Sequence, residues 1–252
     1  MAAAAPGCAH SIASGWASTA EVRKTKTAEI KVTVAAPVAV VWKALRDPSA
    51  IRRWFGWEYD GLAEEIDAMF LENASASDDD HTVEVWGGDR FSLEARGDET
   101  VVRVTRAAPG GESWDGIYEG WVTFVHQLRF TLGRHRGEER RTLYLSGASK
   151  GAADPLPPEI LHGDTFALTP GQRYEATAPT GETVSGELWY RSAHQTGLTV
   201  DAYGDGLLVL TGKPPTLEPP HGAGTVLITT YGLDDDALEA VHRRWKGWWE
   251  AR

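Results

Sequence analysis

The stretch from Ile30 to Gly56, IKVTVAAPVAVVWKALRDPSAIRRWFG, sets the tightest limit on what this chain can fold into. Ile30, Val32 and Val34 alternate with Lys31 and Thr33, the period of two that turns one face of a strand toward a core. Ala36-Pro37 stops that strand, because proline has no N–H for a ladder and its fixed φ suits a first helical turn. From there the period changes. Val38, Val41, Trp42 and Leu45 fall on one stripe of a short helix. Asp47 is placed to cap a second short helix that begins at Pro48, carries Ile51, Trp54 and Phe55 inward, and ends at Gly56. One strand therefore feeds two short helices tipped with aromatic rings.

This run of Ala36-Pro37, Val41-Trp42, Ala44-Leu45, Asp47-Pro48, Ile51 and Trp54-Phe55-Gly56 resembles the opening of the SRPBCC (START-like, helix-grip) superfamily. Within it the chain is most similar to the family named after the activator of the heat-shock protein 90 ATPase. The resemblance covers about the first half of the chain. It implies an α+β fold, a curved antiparallel sheet wrapped around a long C-terminal helix, with the two short helices as a lid.

The residues after Gly56 suit that expectation. Ile66, Ala68 and Phe70 alternate as in a strand, and Asn73 to His81 reads as a polar loop. Val83 and Val85 lead to Trp86, Gly87-Gly88-Asp89 turns the chain, and Phe91, Leu93 and Ala95 return it. Gly97-Asp98 turns again before Val101, Val102 and Val104. A long helix is expected next, capped at Ser113 and stopped at Gly133. Ile117, Trp121, Phe124, Val125, Leu128 and Leu132 trace its buried stripe.

The second half repeats this plan in weaker form. Strands are expected at Thr142–Ser146, Arg173–Thr177, Thr183–Arg191, Leu198–Tyr203 and Leu207–Thr211, while residues 156–161 are all that remain of the helical pair. Thr225-Val226-Leu227 and the helix after Asp234-Asp235-Asp236 repeat Thr100-Val101-Val102 and the first long helix. Val241 matches Ile117, Trp245 matches Trp121, and Trp248-Trp249 match Phe124-Val125, all at an offset of 124 residues. One recurrence at domain-sized separation points to two copies of one fold rather than a solenoid. The expected organisation is a disordered leader over 1–28, a helix-grip domain with an intact lid over 29–137, and a degenerate second one over 138–252. A single enlarged domain with a coincidental end helix is the competing reading.

Composition narrows the partners. A net charge of −11, shared by both halves, argues against nucleic acid and anionic membranes. No apolar run approaches the roughly 20 residues that span a bilayer, so no membrane insertion is expected. The only cysteine, Cys8, can form no internal disulfide, and the leader lacks the apolar core of a signal peptide; a cytoplasmic location is expected. Eleven tryptophans against two methionines favour large rigid rings over adaptable surfaces.

Chemistry-bearing motifs are absent: the chain has no G-x-S-x-G, H-E-x-x-H or C-x-x-C. Asp78-Asp79-Asp80-His81 reads as a solvated turn and Asp234-Asp235-Asp236 as a helix cap, so neither a metal site nor a cofactor is expected. No catalytic residue is assigned. A space between sheet and long helix, lined by Trp42, Trp54, Phe55, Trp57, Trp86, Phe91, Trp121 and Phe124, would hold an apolar molecule if those rings do not simply fill the core. Glu119, Arg129, Glu187 and Arg191 are candidate polar anchors. The first expectation is a protein that binds a hydrophobic or aromatic small molecule. Two others follow from the resemblance: a cyclase- or hydrolase-like enzyme using the same cavity, as in aromatic-polyketide cyclases, and a co-chaperone-like module for a protein partner.

Overall fold

The computed structural model describes residues 29–107, 114–151, 154, 156–161 and 167–252. The expected leader with Cys8 and the expected cap at Ser113 lie outside them. The first strand, β1 (Glu29–Val34), buries every second residue and pairs antiparallel with β5 (Glu99–Thr105), Val32 opposite Val102. Beyond β5 follow β4 (Arg90–Arg96), β3 (Thr82–Glu84) and β2 (Ser75–Ser77), the last of these inside the expected polar loop.

Between β1 and β2 lies the lid. Helix α1 (Val38–Arg46) is followed by α2 (Pro48–Ile51), whose first amides at Ser49 and Ala50 donate to the Asp47 carboxylate at 3.0 and 3.3 Å. The second helix is shorter than expected: turns carry the chain from Arg52 to Gly56. Gly56 sits at φ +63°, where a Cβ would also press on Leu62. The strand expected over Ile66–Phe70 is instead α3 (Leu62–Ile66), which widens into a π-helical stretch over Asp67–Glu72. Leu62, Ile66 and Phe70 are all buried four residues apart, and that helical spacing overrides the local alternation.

Helix α4 (Gly116–Arg134) begins at an Asp115 cap that accepts from Ile117 and Tyr118, and it runs through Gly133 to end at His135. A six-stranded antiparallel sheet follows, in the order β6 (Arg140–Ala148), β11 (Ala223–Tyr231), β10 (Gly206–Lys213), β9 (Gln195–Val200), β8 (Thr183–Arg191), β7 (Arg173–Thr177). The strand expected to reach Tyr203 stops at Val200 and closes with a 3₁₀ turn. In place of a lid, a short 3₁₀ turn at Pro157–Glu159 lies close against β11, and a Cβ at Gly224 would collide with the Pro157 ring. Helix α5 (Asp235–Ala251) is capped by Asp234, which accepts from the Ala237 amide at 2.8 Å.

The architecture is α+β. Two antiparallel sheets each pair their first strand with their last, and each is followed by a long helix. The layers stack as first sheet, α4, second sheet, α5. Leu207, Val209, Leu227 and Tyr231 join the core that contains α4 and the first sheet, whereas Leu208, Leu210, Val226 and Ile228 join Val241 and Trp245 of α5. The central strands β9, β10 and β11 are therefore buried on both faces over most of their length, which is why they read as unbroken apolar runs. Helix α4 is covered on two sides, and Thr123, Gln127 and Thr131 are buried along with Trp121, Val125, Leu128 and Leu132 of the expected stripe, while Phe124 is half-buried. Ile117 departs from that stripe: it is 62% exposed in the first turn, before the covering begins. No helix among the described residues is long and apolar enough to cross a membrane.

Candidate functional site

The rings expected to line a cavity under the first sheet mostly fill that space. Trp54, Phe70, Phe91 and Trp121 meet edge to face, with Phe91 5.1 Å from Trp121 and Phe70 5.7 Å from Trp54. Trp54 is 1% exposed and donates its indole N–H to the Ala44 carbonyl at 2.8 Å. Trp121 donates to Asp89 at 2.7 Å. Trp42 sits half-buried on the outer side of the lid, bonded to Asp78 at 2.9 Å and edge-on to His81, while Trp86 is 62% exposed in the β3–β4 turn.

The open space is on the other side of α4. A cavity of about 380 Å³ lies between the lid, the N-terminal half of α4 and the inner face of β6, β10 and β11. Phe55, Trp57, Trp121 and Phe124 line it; Trp42, Trp54, Trp86 and Phe91 do not. The opposing wall is Tyr144, Val209, Thr211, Thr225 and Leu227, all from the second sheet. Trp57 stacks flat on Tyr144 at 3.7 Å, joining lid to sheet at one edge. Gly116 and Gly120, one turn apart on α4, leave the furrow that the cavity occupies. Trp114, Thr211 and Thr225 also border a shallower groove of about 540 Å³, which continues along the sheet to Lys213 and Pro219.

The lid's turn is held open by backbone capping from below. The buried Arg140 donates to the carbonyls of Arg52 (3.1 Å), Phe55 and Gly56 (3.1 Å), and to Gln127 Oε1 at 2.9 Å. Gln127 in turn donates to the Trp54 carbonyl at 3.0 Å, and Thr131 to that of Arg53 at 3.1 Å. These carbonyls are the unsatisfied end of the α2 turn, and side chains from α4 and β6 supply their donors.

Of the four candidate polar anchors, Glu119 lines the cavity. It is 6% exposed. Gln195 Nε2 donates both to its main-chain oxygen (2.7 Å) and to its carboxylate Oε2 (2.6 Å). The Gln195 amide is itself fixed, since its Oε1 accepts from Tyr190 at 2.6 Å and Thr123 at 2.9 Å. Desolvation raises the Glu119 carboxyl above its ordinary range, and the nearby Asp115 adds to this against the lowering pull of Gln195 and His194. Arg129 instead packs over Trp189, and Glu187 pairs with Arg134 at 2.6 Å. Glu65, across the cavity on α3, accepts from the Tyr59 hydroxyl; desolvation and this carboxylate push the phenol up to about 12. No group of three or more metal-ligating side chains occurs among the described residues.

Tyr144, Thr211, Thr225 and Gln195 carried no site signal in the sequence, because they face the cavity only once the second sheet lies against α4. Gly116 and Gly120, four residues apart in the expected helix, are the local feature that could have pointed to a furrow there.

No protein-family model and no curated protein matches the chain. Among solved structures it is similar to DynU16, a protein in the dynemicin biosynthetic locus, at 17% identity over 88% of this chain and 94% of that one (TM-score 0.30). It is also similar to two di-domain ARO/CYC proteins. StfQ, from the steffimycin biosynthetic pathway, is 13% identical over 87% of this chain and 91% of its own (TM-score 0.32). BexL, from the BE-7585A pathway, is 13% identical over 88% and 94% (TM-score 0.32).

Proposed function

We propose that the protein binds a hydrophobic or aromatic small molecule in the cavity between the lid, α4 and the second sheet. The observation that carries this reading is the cavity itself: about 380 Å³, walled by rings and aliphatic side chains with a few fixed polar groups. That volume and lining are what a small-molecule site requires. The organisation as two successive helix-grip domains, with a boundary near Gly137, belongs to the same proposal. So does a cytoplasmic setting, which rests on the single cysteine and the absence of a spanning apolar run in the sequence.

Binding is preferred to turnover because the two carboxyls on the wall meet an amide and a phenol, Glu119 with Gln195 and Glu65 with Tyr59, rather than a nucleophile. A protein partner is less well supported. The large exposed apolar residues, Tyr59, Leu71, Trp86, Ile117 and Leu217, come from five separate segments, and two of them border the cavity.

Native mass spectrometry of the purified chain tests this reading, with a cavity-filling variant as control. A Cβ at Gly120 would make only ordinary contact with Phe124, so Gly120→Leu should fit and occupy the furrow. The expected result is a stoichiometric apolar passenger on the native protein and none on Gly120→Leu. That variant should also be more stable, by about 0.5–1 kcal/mol from the replaced helical glycine. Equal loading of both proteins would place the passenger elsewhere and sink the proposal.

A further inference from the structure

The cavity wall carries two carboxyl groups, Glu65 and Glu119, and no lysine, arginine or histidine among its described residues. Glu65 is bonded by a neutral phenol and Glu119 by a neutral amide, and neither carboxyl accepts a further hydrogen bond from the described residues. Glu119 Oε1 receives no hydrogen bond from the described residues. Glu65 is half-buried and Glu119 buried, and a buried carboxylate is ordinarily matched by a cation. Here no cation lines the cavity among the described residues, and His194, packed behind Trp114, is the basic side chain that bears on Glu119, in a chain whose net charge is −11. Around the same space stand Trp57, Trp121, Phe124 and Tyr144, whose ring faces are the neutral surfaces that best tolerate positive charge.

Resting on the ligand-binding reading above, we propose that the cavity selects an aromatic or polycyclic molecule bearing a positively charged amine, with Glu119 as its counter-charge. The rings take the body of the ligand and face its cationic head. Glu119 Oε1 accepts from the ammonium group, while Gln195 holds the other carboxylate oxygen in place. Anions are rejected because they would meet two carboxyl groups and no cation.

The pH dependence follows from the groups around Glu119. Asp115, the cap of its own helix, opposes its ionisation. His194, at the β8–β9 turn, and Gln195 favour it, and the hydroxyls of Tyr118 and Tyr190 stay neutral nearby. Burial makes the empty site hold its proton above the ordinary carboxyl range. An ammonium ligand needs the carboxylate, so affinity rises with pH through the Glu119 titration before levelling off, and binding releases a proton wherever the empty site still holds one.

The test is calorimetric titration of the full chain with three probes sharing one ring system: 1-naphthylmethylammonium, 1-methylnaphthalene and 1-naphthylacetate. The ammonium probe should bind about ten-fold or more tighter than methylnaphthalene, with the acetate weakest. Glu119→Gln, which keeps the side chain's shape, should erase that difference. Should the variant fold poorly, titrating the unaltered chain in buffers of different ionisation enthalpy reads the released proton directly. Equal binding of ammonium and hydrocarbon, or an ammonium affinity that falls as pH rises, would overturn the amine assignment and leave hydrophobic binding standing. Failure of all three probes to bind would overturn both.

Discussion

Arg140 is a buried cation whose hydrogen-bond partners are all neutral: three main-chain carbonyls of the lid turn and the Gln127 amide. Desolvation lowers its guanidinium to about 10, so it remains charged at neutral pH. Its role is to fix Phe55 and Gly56, which line the cavity. Arg140→Met would fill the volume but strand those carbonyls, at about 1–3 kcal/mol for each one left without a donor. The expected loss is on the order of 3 kcal/mol in chemical denaturation, with weaker ligand binding alongside. Arg140→Lys should recover only part of this, since a point charge cannot reproduce the planar fork. An unchanged denaturation midpoint in Arg140→Met would remove this role. In the sequence Arg140 stands in a run of charges, Glu138-Glu139-Arg140-Arg141, that reads as surface. Its three carbonyl partners lie more than eighty residues upstream, and only the folded chain brings them within reach.

At the scale of elements, α4 decides the site. Its start is fixed by Asp115, which caps the first turn and also meets Arg106, the same buried arginine that faces Asp89 beneath Trp121. Asp115→Ala should therefore cost about 1–2 kcal/mol, at the upper end for a cap, because it also unsettles Arg106. Ligand affinity should drop with it as Trp121 loosens. A loss of stability with affinity untouched would separate the cap from the site. The apolar stripe of α4 was legible from its spacing, as were β1, the lid's caps and the hairpins of the first sheet. The second buried face was not. Thr123, Gln127 and Thr131 look solvated in sequence, and their partners Gln195, the Trp54 carbonyl and Tyr231 are scattered along the chain. The α3 segment was misread for a related reason: over five residues a strand and a π-widened helix bury similar positions.

At the scale of the molecule, the two sheets share α4 as common filling. Removing the first sheet and α4 would leave Tyr190, Leu207, Val209, Leu227 and Tyr231 uncovered on the second. Residues 138–252 alone should accordingly be poorly soluble, and the intact chain should unfold in one transition by calorimetry. Two well-separated transitions would mean that the halves are independent. The repeat of a strand and a tryptophan-bearing helix made two sheets with two helices legible; how they stack was not, and the stacking locates the cavity. That stacking also gives the cavity a stopped end and a continuing one. Arg140 anchors the lid turn at the first, while past Trp114 the space runs on along β6, β10 and β11 toward Pro219. Such a socket works like a ruler with a single fixed mark. It fits the head of a guest closely and lets the length of its tail go unmeasured, so molecules that share a head and differ in reach would all be admitted.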